Sequence, residues 1–283
     1  MGLKVLRIKV FMPNAHFRVV HSNNPRKTYP VPPYSTVIGF LANILGNVEM
    51  IEKMVSGELV LGVLAQHEYV TREYTWLRNL SFEQHLGRHV TAENRTWQGV
   101  AEHPGGQSPV VVEVLNEVTV WIYVYHAEPG ILEAILQNAH RPEKWFSHLH
   151  LGRSEDWAAV ETVGMVELKT SNLAADMSET GRYFQWMPFP DSAFGVGRHI
   201  SGQEYCELYN YKTQNPAVLV TSLYKLVEAH LGGGRTGVIR NFKYIPARLT
   251  DSQIPFLDSF KLPVLFTDPE NFVAVYLVRI KPV

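Results

Sequence analysis

Cysteine is almost missing from this chain. Cys206 is the one thiol in 283 residues, which excludes an internal disulfide framework and any paired-cysteine metal knuckle. A reducing compartment is the expectation. No run approaches the ~18 apolar residues that a membrane helix needs. The first ten residues, MGLKVLRIKV, carry charge throughout and lack the apolar stretch of a signal peptide, so a soluble cytoplasmic protein without membrane contact is expected. Acidic residues are missing from Met1 to Val48, although the chain holds 27 of them. Tandem repeats and low-complexity tails are missing too. So are the common catalytic signatures: there is no HExxH, no GxxxxGK[ST], no GxSxG and no Cys-His arrangement.

What is present fits an ordinary folded protein, with 46% apolar and 19% charged residues and room for a sizeable core. The net charge of −1 argues against a free-standing nucleic-acid binder, but its distribution does not. The acid-free N-terminus carries Lys4, Arg7, Lys9, Arg18, Arg26 and Lys27. A second acid-free window, Ala229 to Thr250, carries Arg235, Arg240, Lys243 and Arg248. Two basic zones on a neutral protein point to a defined anionic ligand rather than bulk attraction.

Periodicity supplies the elements. Leu6, Ile8 and Val10 alternate with Arg7, Lys9 and Phe11, which predicts a strand offering cations and a ring on its exposed face. After the loop HSNNPRKTYPVPPYST, apolar residues at Val37, Leu41, Ile44 and Val48 predict a short buried helix capped by a hydroxyl, with Gly46 at its C-terminal end. Leu59 to Tyr69 reads as a second strand and Val110 to Tyr125 as a third. A helix begins at Pro129, and Ala159 to Leu168 reads as the fourth strand. Between Thr71 and Pro109 periodicity fades into an excursion holding Arg72, Arg78, Arg88, Arg95, Trp76 and Trp97. Apart from it, the order is that of a ferredoxin-like or RRM-like α+β domain over residues 1–170. Residues 171–283 read as a less regular, β-rich region, with a helix over Pro216 to Leu231, a GGG linker and a hairpin around TDPEN.

Two readings stand for the proline-rich loop. It delivers Arg26 and Lys27 beside a helix start bearing Ser35 and Thr36, which suits an anion; equally, the hydroxyls cap and the prolines stiffen. GGGRTG, without the P-loop lysine, is either a linker or an anion-binding turn. GVGRHISG lacks dinucleotide spacing. His148 and His150 would share a face of an extended segment, but no third metal ligand is identifiable. No metal or cofactor is expected. The arginines and tryptophans of the excursion suit stacking on unpaired bases or the cover of a hairpin's own core.

Taken together, FRVVHSN…TYPVPPYSTVIGFLANILG, IYVYH before a helix, and LGRSED resemble the CRISPR-associated protein family five, of the RAMP superfamily, in its type I-B-like form. The resemblance is strongest over residues 1–48 and 120–168. It implies an RRM-like domain with a β-hairpin thumb inserted at about 71–109. It implies a non-catalytic subunit of a type I effector complex, Cascade, that binds the 5′ handle of CRISPR RNA (crRNA) and caps the backbone filament in antiviral defence. Arg18, Lys27, Ser35, Thr36, Gly152, Arg153 and Ser154 stand at the matching motif positions. The implied partners are the crRNA, the family-seven backbone subunit, the family-eight large subunit and, through the complex, target DNA. The alternative is a metal-independent endoribonuclease that processes pre-crRNA, for which His16, His21, Lys27 and Tyr29 lie close in sequence.

Overall fold

In this computed structural model, residues 2–78, 96–97, 100–101, 107–172, 183–212, 215–232, 235–251, 264–271 and 273–281 are described. Alternation makes the first strand, as the sequence predicts, but β1 (Gly2–Ala15) runs on to residue 15. A pair of short strands follows, β2 (Phe17–Arg18) with β3 (Thr28–Tyr29). Helix α1 (Tyr34–Leu45) ends as expected on Gly46, whose φ of 59° suits a residue without a side chain. Its start differs from the expectation. Pro33 is the N-cap and no side chain caps it, because Ser35 and Thr36 already lie inside the first turn.

Helix α2 (Val48–Ser56) leads to β4 (Leu59–Gln66), where a turn at residues 67–68 breaks the predicted strand before β5 (Tyr69–Arg78). The small ladder of β6 (Thr96–Trp97) and β7 (Val100–Ala101) precedes the long β8 (Gln107–His126). Then come α3 (Pro129–Asn138) and β9 (Ala159–Asn172). Among the described residues the strands form one eleven-stranded sheet with two small ladders beside it. At its centre lies the run β4-β8-β1-β9, antiparallel throughout.

One face of this run packs on the helices. Leu6, Ile8 and Val10 meet Leu61 and Val63, Val120 and Ile122, and the apolar side of α1 and α3, all buried. Period-two alternation in the strands and helical spacing in α1 aim these residues at one another.

The other face is not open. Val5, Val60, Leu64, Trp121 and Tyr123 pack under β10 (Phe184–Pro188), α4 (Gly202–Glu207) and the C-terminal segments, through Met187, Tyr205, Phe266 and Leu277. The predicted cation-bearing face of β1 is therefore spoken for. Arg7 pairs with Asp268 at 2.9 Å and with Glu270, and Lys9 pairs with Glu161 at 2.7 Å.

The span Pro216 to Leu231 is no helix. It is β11 (Ala217–Gly232), paired along its length with β12 (Arg235–Asp251), so the GGG stretch joins two strands. Its β-branched residues and cross-strand partners outweigh a helical reading of the same apolar spacing. In the closing hairpin, β13 (Val264–Asp268) pairs with β14 (Val273–Ala274), after which the chain crosses over and β15 (Val278–Ile280) joins β4. Among the described residues no helix is long and apolar enough to cross a membrane.

Asp268 ties the C-terminal hairpin to the central strands. Its fully buried carboxylate accepts from Arg7, from the Tyr123 hydroxyl at 2.7 Å and from Asn271 Nδ2 at 2.8 Å. Burial pushes its pKa up, but the bonds from Tyr123 and Arg7 outweigh burial and hold it below the ordinary 3.8. A folded-state pKa below the unfolded one means stability present above about 3.8 and lost as pH falls through the folded value. Denaturant titrations at neutral pH and at about pH 3 should show the wild type losing stability on acidification. Asp268→Asn should be less stable at neutral pH and decline less steeply; an equally steep decline would place the acid sensitivity elsewhere.

Candidate nucleic-acid interface

Where the central sheet ends, five segments close around a cleft of about 400 Å³. Its walls come from His16, Phe17 and Arg18 after β1, Arg26 from the loop, Ser35 and Thr36 at the start of α1, Gly152 and Arg153 of LGRSED, and Thr221 and Phe242 of the β11–β12 ribbon.

Backbone pairing places each segment. The loop docks along β8: the Arg26 N–H donates to Val111 O at 2.7 Å, and Arg26 O accepts from Glu113 N at 2.9 Å. The proline stretch is held from below by Trp186 Nε1, which donates to Pro32 O at 3.0 Å. Ser35 Oγ and Thr221 Oγ1 share a hydrogen bond at 2.6 Å, so the hydroxyl expected to cap α1 instead ties the helix start to the ribbon.

The LGRSED turn is built on Asp156, which is 1% exposed. Its Oδ2 accepts the backbone N–H of His16 at 2.9 Å and of Arg153 at 3.0 Å, while Oδ1 accepts Arg153 Nη2 at 2.7 Å. Gly152 has φ 127°, and a Cβ there would stand 2.9 Å from Asp156 Oδ2 and 3.0 Å from His16 O. Only glycine fits that position.

The cations differ in availability. Arg153 is committed to Asp156 and, at 3.2 Å, to Glu73, so it braces the cleft wall. Among the described residues neither Arg18 nor Arg26 has an ion-pair partner, and both face the cleft beside the uncapped α1 N-terminus. Two free guanidinium groups and a helix start make an oxyanion-binding arrangement.

His16 lies in the same wall, 5% exposed. Burial, with the charges of Arg153 and Arg18, pushes its pKa below the ordinary 6.5 despite the opposing bond of Nδ1 to Glu113 O at 2.7 Å. The neutral ring donates through Nδ1, leaving Nε2 buried without a partner.

The remaining predicted residues among those described do not line the cleft. Lys27 is exposed on the loop, its N–H bonded to Ser22 Oγ at 2.9 Å. Ser154 O accepts from His148 Nε2 at 2.9 Å. Arg72 faces Glu113 at 3.5 Å, while Tyr74 and Trp76 stand exposed on β5. Arg78 pairs through its backbone with Gln107, and Trp97 with Val100. Arg88 and Arg95 lie outside the described residues. The His148 and His150 rings are 5.4 Å apart, but among the described residues no three metal-ligating side chains gather. Sequence reasoning missed Asp156, Thr221 and Phe242. The acid of LGRSED carried a faint signal, whereas the ribbon residues became site residues only through long-range pairing.

An antiparallel α+β fold whose free cations converge at a sheet end has the chemistry to hold an anionic chain or group. A family model described as "CRISPR-associated protein (Cas_Cas5)" matches residues 5–199, and the chain belongs to that family. Among solved structures it is similar to a chain of a CRISPR RNA-guided surveillance complex, at 12% identity and TM-score 0.45, covering 92% of this chain and 91% of that one. It is also similar to a CRISPR protein from Archaeoglobus fulgidus, at 13% identity and TM-score 0.42, covering 98% and 100%. These likenesses carry no argument about function. A search among curated proteins gives no match.

Asp156→Ala leaves two backbone donors without their acceptor and takes from Arg153 its buried partner, a change that costs about 3 kcal/mol. Urea unfolding should show that loss, with Gly152→Ala also destabilised and Ser154→Ala near wild type. A Ser154→Ala loss as large as that of Asp156→Ala would show that the carboxylate is not the organising group.

Proposed function

We propose that this protein is a non-catalytic subunit of a type I CRISPR effector complex that holds the 5′ handle of crRNA in the cleft and caps the backbone filament. The observation that carries this reading is the convergence of Arg18, Arg26, Ser35, Thr36, Gly152 and Arg153 around one cleft, from segments more than a hundred residues apart. Arg18 and Arg26 are the phosphate contacts, the α1 N-terminus adds its partial positive charge, and Arg153 holds the wall. Two unpaired arginines gathered at one cleft, on a chain of net charge −1, favour a defined RNA end over duplex or bulk nucleic acid.

A ferredoxin-like core suits this role. Its support is the antiparallel order of the fourth, first, third and second strands, with helices on one face. The arm of β5 and β8 running out from the sheet is the base of a thumb, and exposed Tyr74 and Trp76 are its anchors for the family-seven backbone subunit. The family-eight subunit and, through it, target DNA complete the assembly in the prokaryotic cytoplasm.

One observation favours the alternative, an endoribonuclease: neutral His16 keeps a lone pair on Nε2, as a general base for a ribose 2′-OH requires. Against it, that nitrogen is shielded from solvent, and Tyr29 is packed edge-on against Trp186 at 5.1 Å with its pKa raised by burial.

Binding of single-stranded RNA, followed by fluorescence anisotropy across a salt series, tests the reading. Arg18→Glu and Arg26→Glu should each weaken binding and lower the slope of log affinity against log salt by about 0.7 per lost contact. Arg141→Glu should leave both unchanged, and equal behaviour of all three variants would sink the proposal. Incubation with repeat RNA in EDTA should yield no product; a specific product lost in His16→Ala would establish the enzyme instead.

A further inference from the structure

The β11–β12 ribbon passes the cleft and continues beyond it. Cross-strand partners share a face, so Thr221 with Tyr244, Tyr224 with Phe242, and Leu226 with Arg240 fall into rows. Thr221 and Tyr224 are three residues apart and would point to opposite faces of an unbroken strand. A bulge between them, with Ser222 and Leu223 of β11 against the single Lys243 of β12, brings both to the cleft side. Phe242 lines the cleft itself. Its ring lies 5.4 Å from that of Tyr224, and the Arg240 guanidinium lies 4.9 Å from the centre of the Tyr224 ring. Tyr224 is 43% exposed, Arg240 is exposed, and Arg240 has no ion-pair partner among the described residues. Phe242 and Arg240, two residues apart, stand about 7 Å from each other along β12.

We propose that this face is a stacking platform for the unpaired bases of single-stranded RNA whose phosphates the cleft holds, with Phe242 and Tyr224 as the ring surfaces and Arg240 as the outer cation. It rests on the reading of the cleft as an RNA grip and assigns the ribbon a role of its own there. Three features favour RNA over a protein partner. The platform is continuous with the cleft through Phe242; its arginine is already stacked rather than paired; and Ala229 to Thr250, which includes most of β12, holds no acid. The carboxylate nearest by register, Glu228, sits two paired positions beyond Arg240, opposite Val238. Flat rings beside a phosphate site accept any base, so the platform adds affinity without demanding a sequence.

The test uses the full-length protein and two probes: an oligoadenylate of eight nucleotides and the same ribose-phosphate chain without bases. Wild type should bind the base-bearing chain about tenfold more tightly. Tyr224→Ser/Arg240→Lys, which keeps the charge, should lose that difference and bind the abasic chain as wild type does. Arg26→Glu should weaken both probes alike. Equal wild-type affinity for the two probes, still sensitive to Arg26→Glu, would overturn the platform and leave the cleft reading standing. Binding of neither probe would remove both. A double variant that keeps the tenfold preference, but elutes as a smaller species than wild type on gel filtration, would make the ribbon a protein interface and refute the proposal.

Discussion

Strand β8 is the constraint on which the rest of the structure depends. Along residues 115–124 it pairs with β1, and along 119–126 with β4 on its other edge. Past the end of β1 the same strand keeps its edge occupied, first by the His16 ring on Glu113 O and then by the backbone of Arg26. Its opposite edge there carries β5. Buried backbone groups must find partners. A strand that outruns its neighbour therefore recruits the next loop, and that recruitment brings Arg26 to the cleft.

Closure of both faces of the sheet explains where binding takes place. A four-stranded sheet with one open face offers rings and cations across its middle. Here Trp121 and Tyr123 lie beneath the C-terminal half, and Arg7 is neutralised by Asp268 and Glu270. What remains for an anionic ligand is the sheet's end, where loops and the α1 N-terminus converge. The buried Asp156 carboxylate sets that end, because it holds the His16 backbone, the Arg153 backbone and the Arg153 side chain at once. Arg18 and Arg26 are thus left as the free charges.

Much of the fold was legible. The alternation of β1 and β8, the helical spacing of α1, and Gly46 at its end are local patterns, and local patterns survive into the structure. The Pro216 to Leu231 segment failed because its apolar spacing satisfies both periods, and only the partner strand β12 decides between them. The capping hydroxyl failed for a similar reason: Ser35 has a better partner in Thr221, 186 residues away.

For the site, sequence by itself determined the chemistry: an acid-free N-terminus, an arginine-bearing loop before a helix, a glycine in LGRSED, and membership of a family. Residue types and short-range spacing carry that information. Tertiary structure decided which cations are free. Arg7, Lys9 and Arg153 read no differently from Arg18 and Arg26 along the chain, yet the first three meet carboxylates from distant segments or neighbouring turns. It also decided that the β11–β12 ribbon shares the cleft, because a hydrogen-bonded edge and a bulge, rather than any motif, aim Thr221 and Phe242 into it.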